Sequence, residues 1–129
     1  DAHIINIGIE FEITVMPDYN SNVVLLNCIN ELKEFFNINN MSINNPIQLS
    51  KLYLLLDGVD GVQTVIRPDK EGVGGFQIFN KFNGNYSPNK YSIKTATKFG
   101  VIYPAKDPSI FEVKFPNTDI RGKVVTQSF

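Results

Sequence analysis

Between residues 5 and 15 the chain alternates without a fault: Ile5, Ile7, Ile9, Phe11, Ile13 and Val15 occupy the odd positions, with Asn6, Gly8, Glu10, Glu12 and Thr14 between them. Successive side chains of a strand point to opposite faces, so this spacing predicts a strand with one apolar face on a core and one polar face outward. The rest of the chain has to supply partners and a covering layer for that apolar face.

The segments that follow read as the cover. Pro17, Asp18 and Asn20 carry turn chemistry, and Asn20 or Ser21 can accept the first free amide protons of a helix. Leu25, Cys28, Ile29, Leu32, Phe35 and Phe36 recur at helical spacing, with polar residues between them, which predicts an amphipathic helix lying on a sheet. Residues 37–45 break that helix, with room for a short extended piece at 41–43. Asn45, Pro46 and Gln48 then form a helix-start pattern: a capping Asn, Pro at the first helical position and a Gln that reaches back. Leu49, Leu52, Tyr53 and Leu56 line one face of this second helix, and Asp57-Gly58 predicts a left-handed glycine cap at its end. Residues 59–66 return as a strand with a bend at Gly61.

Beyond residue 67 the texture changes. Residues 68–75 and 80–90 are dense in turn formers and read as exposed loops, the glycine-rich one as mobile. Short aromatic strand candidates lie at 76–82, 91–96, 100–103, 110–115 and 120–126. The expected fold is therefore α+β: a mixed or antiparallel sheet carrying two helices on one face, with a β-rich C-terminal extension. A length of 129 residues suits one domain, residues 1–129, made of a strand-helix-helix-strand unit (1–67) and a loop and β-rich part (68–129).

Composition narrows the function. A hydrophobic fraction of 43%, ten Phe and five Tyr exclude a disordered chain. A net charge of -1 argues against a dedicated nucleic-acid binder, and no apolar run reaches the length of a membrane-spanning helix. One His and one Cys exclude a disulfide framework, a Cys-rich zinc site and a cluster of metal-binding histidines. No cofactor is expected.

No catalytic set emerges from the chemistry-bearing residues. Glu10 and Glu12 share one face of a strand, roughly 7 Å apart, whereas a glycosidase pair flanks its bond from opposite sides. They read instead as a polar face, paired with Arg121 and Lys123 of another strand. His3 and Cys28 could form a base and nucleophile, but Cys28 falls among Leu25, Ile29 and Leu32, where a thiol packs as a small hydrophobe. The Asp57-to-Gly61 stretch lacks the alternating oxygen ligands of a calcium loop, and residues 72–75 lack the Lys-Ser or Lys-Thr and the helix of a phosphate loop.

The aromatic residues of the second half exceed what a small core needs, so part of them is expected at a protein interface or stacked on a ligand. The strand-like aromatic run nominates Tyr103, Ile110, Phe111, Val113 and Phe115 as interface residues, and Tyr86 and Tyr91 with the Asn-rich loops as the aromatics of an alternative carbohydrate- or receptor-binding module.

The runs INIGIEFEITVMPDYN, VLLNCINELKEFFNI and INNPIQLSKLYLLLDGVDGVQTV resemble the C-terminal region of baseplate J-like proteins of contractile-tailed phages. The late segment GVIYPAKDPSIFEVKFPNTDIRGKVV resembles the T-even-type baseplate wedge subgroup. Residues 72–90 match no part of that pattern and receive no role from it. The resemblance implies a non-enzymatic structural domain of a virion, assembled in the host cytoplasm into the ring around the tail tube. It would pair with a second copy of itself, burying apolar surface and joining strand edges, and touch other baseplate wedge proteins, with no nucleic acid or membrane partner. The abrupt start at Asp1 is expected of a fragment of a longer polypeptide.

Overall fold

A computed structural model describes residues 3–37, 40–105 and 108–126. The alternating segment is a single strand, β1 (His3–Val15), and four other strands of its sheet pair directly with it. Of the two helices that cover it, α1 (Ser21–Phe35) lies beside the last strand of the chain and α2 (Leu49–Asp57) beside β3 (Val62–Val65).

The main-chain groups of β1 divide by parity. The even residues face one edge, where β4 (Gln77–Asn80) runs antiparallel opposite residues 7–10 and β3 runs antiparallel opposite residues 13–15. The amides of Lys81 and Ile66 extend this edge by donating to the carbonyls of Asn6 and Glu12. The odd residues face the other edge, where β7 (Ser109–Glu112) runs parallel to residues 3–6 and β8 (Ile120–Val124) parallel to residues 9–13. Between them the chain makes the single turn α4 (Pro116–Asp119), which absorbs the extra residues: Ser109 to Ile120 advances eleven positions while its partners His3 to Ile9 advance six. The second half is thus β-rich, and three of its strands complete the sheet that β1 begins.

Side chains follow the same parity. Ile5, Ile7, Ile9, Phe11 and Ile13 are buried in one cluster with Val24, Cys28 and Leu32 of α1, Phe36 just after it, and Leu52, Tyr53 and Leu56 of α2. Phe11 determines its neighbour's identity. Its ring lies across Gly122, the residue opposite it on β8, and a Cβ on Gly122 would stand 2.2 Å from Cζ of that ring.

Local signals held in some places and yielded in others. Asn20 caps α1, its side-chain oxygen accepting from the amides of Asn22 and Val23 at 3.0 and 3.2 Å. Asn45 and Pro46, by contrast, do not start a helix. Ile47 and Gln48 form β2 (Ile47–Gln48), paired with β6 (Val101–Ile102), and the helix begins only at Leu49, whose amide donates to the carbonyl of Gly100. Tertiary pairing has outcompeted the capping pattern there. Gly58 ends α2 in a right-handed conformation, and the left-handed glycine comes three residues later at Gly61. The extended piece expected at 41–43 is irregular and leads into a turn, and residues 38 and 39 of the same run lie outside the described residues. Residues 91–96 do not form a strand: Ser92 caps the one-turn helix α3 (Ile93–Ala96), accepting from the Thr95 amide. A small second sheet follows, in the order β2, β6, β5 (Thr97–Lys98).

Candidate functional site

The five nominated interface residues do not share a surface. Phe111 lies opposite Ile5 in the parallel register and, like it, points into the core. Val113 is also buried there. Neither can meet a partner, which corrects the nomination of both. Ile110, one residue out of phase, faces the opposite side of the sheet and is half-buried. Tyr103 and Phe115 remain exposed.

What lies behind β1 explains where other aromatics went. The even face near its start is covered by residues 81–91 through a polar network. The Asn6 side chain donates to Glu112 Oε1 at 2.8 Å and accepts from the Ser87 amide at 2.7 Å, while Asn89 donates to the Ile4 carbonyl. Asn80 Oδ1 accepts from the Tyr91 amide. Next to it, Asp119 is buried and accepts the Tyr86 hydroxyl on both carboxylate oxygens at 2.9 Å. That hydrogen bond raises the Tyr86 phenol above its ordinary value. Tyr86 stacks edge-on against Phe115, and the Tyr91 hydroxyl donates to the Tyr103 carbonyl with its ring against Phe111. Both tyrosines considered for ligand stacking are therefore committed to contacts within the chain.

Further along, the even face opens. In the register of β1 and β8 Glu10 lies opposite Arg121 and Glu12 opposite Lys123; Lys123 Nζ lies 3.5 Å from Glu12 Oε2, whereas Arg121 Nε donates to the Thr118 carbonyl at 2.9 Å. These side chains, with Gln77 and Phe79 of β4, line a shallow depression of about 460 Å³ closed on one side by the glycine-rich loop. The loop has a bonded frame: Asp69 accepts from the amides of Glu71 and Val73, and Gln77 Nε2 donates to the carbonyls of Gly72 and Gly74.

Cys28 is enclosed on the apolar side of α1. Burial, with the Glu31 carboxylate adding to it, pushes its thiol up to about 11, so it holds its proton at neutral pH. His3 lies exposed at the start of β1. Among the described residues no three His, Cys, Asp or Glu side chains come together as a metal site, and no helix is long and apolar enough to cross a membrane.

A groove of about 800 Å³ lies between α2, β4, residues 67–72 and the small second sheet. Tyr53 and Phe76 pack at 5.3 Å along its floor, and the Arg67 guanidinium lies 3.9 Å over the Tyr53 ring. Burial raises the Tyr53 phenol, with the Arg67 charge opposing. The rim carries the most exposed aromatic among the described residues. Phe99 and Gly100 are the two residues between the Lys98–Val101 pair of the β5–β6 hairpin, both with positive φ, at 51° and 76°. That is the geometry of the tight primed turns, in which Asn, Asp and Gly are the usual occupants. A bulky residue in the left-handed region costs roughly 1–2 kcal/mol. Phe99 adopts it and buries nothing, with its side chain wholly in solvent. In the sequence Phe99 is one among the many aromatic residues of the second half. The signal was there in the two-residue spacing between Thr97-Lys98 and Val101-Ile102, but Phe-Gly is not a turn pair that composition flags.

Compared with family models, with curated proteins and with solved structures, the chain matches none.

Proposed function

We propose that this chain is a structural assembly domain of a contractile-tailed phage baseplate wedge subunit, working through surface contact between subunits and not through chemistry. One observation supports it above the others. Phe79, Phe99, Tyr103 and Phe115, all from the second half, are exposed, Phe99 wholly and the others in part. Aromatic residues are enriched at the centres of protein interfaces, where a partner removes their surface from water. The sequence resemblance to the baseplate J-like proteins supplies the setting, a ring in which copies pair and meet other wedge proteins. Gold-labelled antibody raised against this chain is expected to decorate the baseplate end of the tail on the corresponding phage particles. Label confined to heads or fibres, or particles without the chain, would overturn the reading. Glycan binding lost on Tyr86→Ala would replace it with a carbohydrate- or receptor-binding module.

A further inference from the structure

We infer that Phe99 is the anchor of a two-fold contact in which the β5–β6 hairpin of each copy enters the groove of the other. The inference rests on the assembly reading and names the site and the partner.

Three features of the same face lead to it. The first is the turn itself. A residue in a disfavoured backbone conformation persists where surrounding structure or function holds it, and nothing within the chain gains from Phe99 being there, since its ring is fully exposed. The second is the groove that Phe99 borders, where Leu49, Leu54, Ile93 and Val101 offer apolar surface, Leu54 largely exposed and the others in part. Ring and receptacle lie side by side on one chain, so a ring cannot fill its own groove but can fill that of a copy turned to face it.

The third feature is charge. Lys98 precedes Phe99 in the hairpin and Lys94 lines the same end of the groove. The start of α2 touches this end through the Leu49 amide and the Gly100 carbonyl. Asp57 closes α2 eight residues later, about 12 Å further along at the usual helical rise, and Glu71 lines the groove from the loop after β3. None of these four charges has an ion-pair partner among the described residues. The remaining charged group of the groove, Arg67, is stacked on Tyr53. A two-fold axis across the groove lays the basic hairpin of each copy against the acidic end of the other and makes every contact twice. A partner of different sequence would need to reproduce both the apolar receptacle and this polarity. A second copy already has them.

Sedimentation velocity of the whole chain over a roughly thousandfold concentration series tests this. The wild-type chain is expected to dimerise. Phe99→Asn, which suits the left-handed turn, is expected to keep the far-ultraviolet spectrum and a melting temperature no lower than wild type, while weakening dimerisation at least about tenfold. Lys98→Glu is expected to weaken it as well, and adding Asp57→Lys to restore it. Undiminished dimerisation of Phe99→Asn, or no restoration by the second charge reversal, would overturn the inference and leave the assembly reading standing on particle labelling. A wild-type chain that stays monomeric throughout would overturn it too.

Discussion

The buried Asp119 shows how one residue can decide its neighbours. A carboxylate placed inside the fold needs hydrogen bonds to replace water, and here the Tyr86 hydroxyl is donated to both of its oxygens. Tyr86→Phe keeps the ring against Phe115 but removes that donor. The expected result is a lowered urea midpoint with unchanged slope. Tyr86→Ala would lose the ring as well, so the two variants separate the hydroxyl from the packing. Gly122 is decided in the same way by Phe11, whose ring occupies the space any side chain there would need.

At the scale of elements, the caps and the pairings compete. Asn20 is a cap that prevailed, and Asn20→Ala is expected to cost about 1 kcal/mol, seen as reduced amide protection in the first turn of α1 before any global change. Such local devices were legible in the sequence: the alternation of β1, the apolar stripes of both helices, and the strands at 77–80, 101–102, 109–112 and 120–124. What overrode local signals was distance along the chain. Ile47 and Gln48 are strand because Val101 and Ile102 lie beside them, which no window around Asn45 reveals. The candidate interface failed in part for a related reason. Alternation separates Ile110 from Phe111 and Val113, but only the parallel register to β1 says which of the two sets faces inward. Phe99 escaped notice because its oddity is conformational, and a backbone angle leaves no mark in composition.

At the scale of the whole molecule, the buried protons act together. Burial raises Cys28 from 9.0 to about 11 and also raises Tyr53 and Tyr91, while the bond to Asp119 raises Tyr86. Each group holds its proton more tightly folded than unfolded. Its contribution to stability is therefore complete below the unfolded value and is lost as the pH climbs through the folded one. The urea midpoint is expected to fall as the pH rises from 9 to 11. Cys28→Ala should flatten the early part of that fall, before the phenols titrate. A midpoint that held steady over this range would show that the thiol is not shut away from solvent. The parity of β1 has a last consequence, for the order of events during synthesis. Its odd-numbered amides and carbonyls are completed by β7 and β8, which leave the ribosome roughly a hundred residues later. Until then the Ile-rich strand has one edge open and part of its cover missing, which makes it the segment most prone to pair with another nascent chain. Folding of this domain thus waits on pairing between strands roughly a hundred residues apart, which makes it slow for its size.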